Sequence, residues 1–242
     1  MSTAVRTDRT GAELLGRSLA YRTLSQALAY PTAGSIGHLR EEDLPLVLGV
    51  LPSLPAEVRR GFRSVARAFE DAEIASLESA YRDVFTHVHS TDCPMYETDH
   101  GPRDIWRQSS ILVDIAGFYR AFGLSERGER PDHVAVELEF LHVVTYKEAW
   151  ARAHDDPANA RVCRDAEVSF LRDHALRWIP AFAARVQALA ARGPYAAVAR
   201  TTERLLRAEA DRHGLAIPAE AVPEPGPSPG PDAAPSLCEV EP

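Results

Sequence analysis

The sequence predicts an all-α fold, and three observations lead there. Apolar residues recur at three- and four-residue spacing in nearly every segment, alternating runs of β-branched residues are absent, and Gly or Pro stands at most of the joints. The first helix is expected over 11–30, stopped by Pro31, with residues 1–10 flexible before it. Periodic stretches then predict helices over 40–51, 55–70, 72–87, 103–122, 132–154, 158–176, 178–192 and 195–213. These lie in one domain spanning 11–217. From Pro218 onward eight of 25 residues are proline, with almost no aromatic or β-branched content. Such a stretch cannot bury enough surface to offset its ordering entropy, so 218–242 is expected to be a disordered, acidic, Pro-rich tail.

Composition narrows the function classes. With 242 residues, 45% hydrophobic and 26% charged, the chain can build a substantial core. The net charge is −8, and the tail supplies five acids with no base, leaving about −3 for the rest. Nothing in that balance attracts nucleic acid. Cys93, Cys163 and Cys238 form no CxxC pair, an odd and sparse count that argues against a disulfide scaffold. No segment approaches the roughly 18 apolar residues that span a bilayer, so the expectation is a soluble cytoplasmic protein.

Two connectors, 88–102 and 123–131, are longer than the other joints, and long loops in compact helical proteins are more often functional than accidental. The first contains "TDCPMYETDHG" (91–101), which packs Cys, Pro, Tyr, Met, His and three carboxylates into a few residues. One reading of it is a metal-dependent (iron or zinc) helical enzyme, with ligands from His87, His89, Cys93, Glu97 and His100. Paired E-x-x-H motifs, Glu97/His100 and Glu139/His142, resemble a di-iron ligand set. At about 100° per residue, however, Glu139 and His142 project from the polar side of their helix, and the first pair lies in a loop. The His/Cys spacing matches no standard zinc pair, and no family signature supports Cys93 as a nucleophile with His89 or His100 as its base. Phosphate-loop motifs are absent.

The start of the 132–154 helix carries a different signal. His133 and Glu137 fall at about 0° and 40°, in the middle of the apolar arc. Polar groups on a buried face need partners. Asp132 is placed to be the N-cap after Pro131, and His133 with Glu137 at i,i+4 to satisfy one another. The alternative is a polar pocket where this helix N-terminus meets another surface.

At these places the chain resembles a known family, the TorD/DmsD/NarJ-type redox enzyme maturation chaperones. The matching residues are "YRDVF" (Tyr81 to Phe85), "CPMYET" (Cys93 to Thr98) and "ERPDHVAVELEFL" (Glu129 to Leu141), in the family's order and spacing. The longer segment is similar to the branch that accompanies type II DMSO-reductase-family enzymes, such as the dimethylsulfide, ethylbenzene, chlorate and selenate enzymes. The likeness covers roughly residues 10–215. It implies a TorD-like helical bundle, a larger N-terminal and a smaller C-terminal helical part joined near 123–133, and no catalysis or cofactor of its own. It also implies a partner: the apo catalytic subunit of a molybdopterin-dependent oxidoreductase, often bound through its twin-arginine signal peptide. Some members bind guanine nucleotide weakly, and the state is monomer or domain-swapped dimer. By position, Asp132 and His133 match the pair implicated in signal-peptide binding, Tyr81 and Phe85 the Y-x-x-[LV]-F aromatics, and Pro94, Tyr96 and Glu97 the P-x-Y-E loop. Leu141 stands where the family commonly has Met. The expected surface sets carboxylates Asp92, Glu97, Asp99 and Asp132 beside exposed apolar Tyr81, Phe85, Met95 and Tyr96, with Glu137 also among the expected client-binding residues, to receive two arginines and an apolar stretch.

Overall fold

Helix-breaking residues and buried apolar stripes divide the chain into ten α-helices among the described residues, which are 2–85, 93–101, 104–125 and 128–219 of a computed structural model. They are α1 (Ser2–Leu28), α2 (Ala33–His38), α3 (Leu44–Gly49), α4 (Ala56–Glu70), α5 (Ile74–Phe85), α6 (Ile105–Ala121), α7 (Val134–Ala153), α8 (Pro157–Phe170), α9 (Leu176–Leu189) and α10 (Pro194–His213). No helix among the described residues is long and apolar enough to cross a membrane.

Three local outcomes differ from the sequence expectation. Helix α1 begins at Ser2, inside the stretch expected to be flexible. Residues 2–10 hold neither glycine nor proline, and Gly11 and Gly16 cost the helix only about 1 kcal/mol each. The expected 40–51 helix is instead α2, a π turn over Leu39–Asp43, and α3. A capping box between Thr32 and Ser35 starts α2, and the wide π turn buries both Leu39 and Asp43. The expected break at 177 is likewise a π turn, Leu171–Ala175, so the chain stays helical from Pro157 to Leu189.

Helices from both ends of the chain interleave in one core: α1 packs along α7, α7 on α8, and α10 on both α4 and α9. Rings fill two places in that core. Phe118, Tyr119, Phe140 and Phe170 pack beneath the connector before α7, with Phe140 and Phe170 centroids 4.6 Å apart. Tyr81, Phe85, Phe182 and Tyr195 join α5 to α9 and α10. Buried Arg17 on α1 ties three helices by bonding Glu209 on α10 (Nε to Oε1, 2.9 Å) and Glu167 on α8.

The α4–α10 crossing is close because Gly61 has no side chain. A Cβ there would meet Thr201 Oγ1 at 2.6 Å, and Thr201 is held by its own bond to the Ala197 carbonyl. Gly61→Val is expected to lower stability by about 1–3 kcal/mol through overpacking, read from urea unfolding followed by circular dichroism.

Candidate functional site

Residues 93–101 lie across the N-terminus of α7 as a short extended strip. Tyr96 and His133 form an isolated antiparallel bridge: Glu97 N–H donates to the Asp132 carbonyl and Val134 N–H to the Met95 carbonyl, each at 2.9 Å. A helix start leaves its first N–H groups without intrahelical acceptors, and here the loop supplies one of them. The neighbouring N–H of Ala135 donates to His133 Nδ1 (3.2 Å), so His133 is the N-cap of α7. Burial holds the His133 pKa below 6.5, against the pull of Glu129 and Asp132, and the neutral ring can accept that bond.

The expectation that Asp132 caps α7 is therefore corrected. Its carboxylate, fully buried, turns the other way and accepts from Thr98 Oγ1–H (2.7 Å), Thr98 N–H (3.2 Å) and Arg130 Nη2 (2.9 Å). Arg130 in turn lies over the Tyr96 ring, 4.4 Å from its centroid, while the Tyr96 hydroxyl donates to Glu129 (3.1 Å). Burial first, then Glu129, pushes the Tyr96 hydroxyl up to about 12, so it remains a donor. The Tyr119 hydroxyl closes the connector by donating to the Pro131 carbonyl at 2.7 Å.

Beneath this layer, Glu97 points inward, not outward. Its carboxylate meets His174 Nδ1 at 2.9 Å, and His174 Nε2 meets Asp114 on α6 at 3.0 Å. Burial opposes charge on His174, but the bonds and charges of Glu97 and Asp114 together outweigh it and raise its pKa above 6.5. Glu137 is fully buried, accepts from Trp178 Nε1 at 3.1 Å, and lies within hydrogen-bond reach of Glu97. Burial and then the Glu97 charge raise the Glu137 pKa well above 4.5, so the neutral acid is the form that can donate to Glu97. His133 and Glu137 do not pair as expected; each is satisfied by a different element.

The structure thus brings Pro94, Tyr96, Glu97, Asp132, His133 and Glu137 into one place. Tyr81 and Phe85 stand apart in the α5 ring cluster, tied to the loop by the Tyr81 hydroxyl on Met95 Sδ at 3.2 Å. The expected exposed surface is corrected as well. Glu97, Asp132, Met95 and Phe85 are buried, leaving Asp99, Glu129 and part of Tyr96 toward solvent. Asp92, His87 and His89 lie outside the described residues. Sequence reasoning missed Thr98, Arg130, Asp114, His174 and Trp178. Arg130 was signalled by its place in "ERPDH"; His174 and Trp178 were not, because a π turn aims the first and burial selects the second.

Glu97 and His100, two of the ligands in the metal reading, are committed to other groups. Glu97 is taken by His174, while His100 donates from Nε2 to the Pro94 carbonyl (2.9 Å), and burial lowers its pKa to about 4. Glu167, Glu209 and His213 lie close enough to share an ion, but the Arg17 guanidinium already occupies that cluster.

This helical architecture has a counterpart among solved redox enzyme maturation proteins. A crystal structure of one from Archaeoglobus fulgidus matches with a TM-score of 0.50 at 22% identity, covering 78% of this chain and 93% of that one. A family model described as nitrate reductase delta subunit matches residues 51–184, more than half of the chain. The chain belongs to that family, the TorD/NarJ-type redox enzyme maturation chaperones. Similar proteins include the perchlorate reductase assembly chaperone protein of Dechloromonas aromatica (strain RCB), 31% identical over 144 residues. That match spans 58% of this chain and 61% of the relative. The selenate reductase assembly chaperone protein of Thauera selenatis is 31% identical over 172 residues, 69% of this chain and 75% of the relative. Chaperone protein TorD of Photobacterium profundum is 26% identical over 141 residues, 56% of this chain and 63% of the relative. These relatives are named as chaperones.

Two outcomes test the site. Glu137 takes up a proton on folding at any pH between 4.5 and its raised folded value, so its contribution falls as pH rises through that window, by up to about 1.4 kcal/mol per unit. The His174 contribution is complete below 6.5 and is lost as pH rises through its own raised value. Glu137→Gln, which keeps an acceptor for Trp178, is expected to unfold at higher urea than the parent at pH 8, with the two converging toward pH 4.5. Asp132→Ala strands the Thr98 and Arg130 donors and is expected to cost about 1–3 kcal/mol, with faster amide exchange over 93–101 by mass spectrometry.

Proposed function

We propose that this protein is a system-specific chaperone that binds the apo catalytic subunit of a molybdenum oxidoreductase and holds it for molybdopterin cofactor insertion. The segment grasped is the subunit's twin-arginine signal peptide, before export from the cytoplasm. Relatives named as assembly chaperones of perchlorate and selenate reductases support the client class.

The observation that carries the reading is an apolar stripe on α6 beside the locked loop. Trp106 and Val113, 81% and 69% exposed, lie seven residues apart on one helical face, with Ile105 adjoining at 72%. Soluble surfaces rarely leave a large ring and two aliphatic side chains open in one place without a partner. The start of α6 abuts the 97–99 turn, so exposed Asp99 stands near the stripe, and exposed Asp114 lies on the same helix. A peptide with paired arginines followed by apolar residues matches carboxylates followed by an apolar stripe. In this reading Asp132, His133, Glu97 and Glu137 act by fixing the loop that carries Asp99, and Tyr81 and Phe85 by supporting it through Met95. The chain's excess negative charge speeds encounter with a cationic segment. Weak guanine nucleotide binding and a domain-swapped dimer belong to the same proposal as features of the family.

Affinity capture from the native cell under molybdate-replete and molybdate-starved growth is expected to enrich one molybdoenzyme catalytic subunit, more strongly under starvation. Recovery of no such subunit defeats the proposal. With the client's signal peptide in hand, Trp106→Ala or Asp99→Lys is expected to weaken binding about 10-fold or more, about 1.4 kcal/mol, at unchanged melting temperature. Equal affinity for both variants moves the binding surface away from α6.

A further inference from the structure

A second feature of the molecule is electrostatically opposite to the first. Between the 97–101 loop, α9 and α10 lies a cleft of about 940 Å³ whose walls carry Arg107, Arg172, Arg177, Arg185 and Arg207 against only two acids, Glu97 and Glu203. Two of the five arginines are already paired, Arg207 with Glu203 and Arg172 with Asp173, which leaves Arg107, Arg177 and Arg185. Glu97 is committed to His174, and Glu203 to Gln187 and Arg207. Arg177 and Arg185 stand two turns apart on α9 and form no ion pair with any described residue. Arg107 donates from Nη2 to the His100 carbonyl, whereas its enclosed Nη1 has no hydrogen-bond partner among the described residues. Between the arginines the floor is Pro180, Ala181 and Ala184, small and apolar.

The chain itself leads into this cleft. Gly214, in the left-handed region at φ 64°, ends α10, and Leu215–Ala219 then run along the cleft wall, with Leu215 and Ile217 packed against the core. The residue after Ala219 is Glu220, the first of five acids in a stretch with no base. Consecutive Cα atoms are about 3.8 Å apart, so the acidic stretch begins one residue after a cleft-lining one. The stretch is rich in proline, which lowers the entropy lost when an extended segment is held.

We infer that the arginine-lined cleft between α9, α10 and the 97–101 loop is the docking site of this chain's own acidic segment, residues 220–242. The occupant follows from charge complementarity and from where the described chain enters the cleft. Tethering sets an effective concentration on the order of millimolar, so even a contact of millimolar affinity is about half formed within one molecule. The docked segment shields the cleft from other anions and leaves the α6 stripe and its carboxylates open. The inference does not rest on the client assignment.

The test uses the full chain with a nitroxide on Cys238, since Cys93 and Cys163 are buried. Amide signals of 177–185 on α9 are expected to lose most of their intensity at low salt, because a contact formed about half the time broadens nearby amides strongly, and to recover in high salt. Two variants should restore them: Arg177→Glu/Arg185→Glu, with its melting temperature as the fold control, and Glu220→Gln/Glu224→Gln/Glu239→Gln/Glu241→Gln, which leaves the described body untouched. Diffuse broadening without a focus on α9, or a focus that survives the tail substitutions, overturns the inference. Signal loss that fades on dilution assigns the contact to a second copy and overturns it equally.

Discussion

The Glu97 carboxylate is the point on which the rest of the site depends. Taken out of water, a carboxylate must be answered by donors, and Glu97 is answered from two directions: His174 Nδ1 at 2.9 Å and Glu137 beside it, whose neutral form can donate. These partners sit on the π turn and on α7, so satisfying one charge fixes the loop against two elements distant in sequence. The backbone bridge between Tyr96 and His133 then becomes possible, and with it the cap that starts α7.

The same constraint explains which groups face solvent. Asp132, His133 and Glu137 are the residues whose chemistry first suggests a ligand, yet each is committed to the protein's own backbone or side chains. What remains for a partner is set by them indirectly. The locked loop presents Asp99, and α6, which also supplies Asp114 to His174, presents Trp106 and Val113. A surface made this way is preorganised, because its supports are buried and their alternatives are costly.

Charge is segregated across the molecule in a related way. Asp99 on the loop and Asp114 midway along α6 are exposed carboxylates, while arginines line the cleft along α9, and the acids of the last residues are opposite in sign to that cleft.

By itself the sequence determined the helical class and most of the elements. The 3.6-residue period and its breakers located α4, α7 and α10 within two residues of their ends, and helical phase alone put His133 and Glu137 on a buried face. Periodicity is local, so it reads which face is apolar and where a helix stops. It does not read what meets that face. The partners of Glu97 and Glu137, the role of His133 as cap in place of Asp132, and the π turn that aims His174 were decided by tertiary structure. Each depends on which distant group arrives within hydrogen-bond distance once the core has closed.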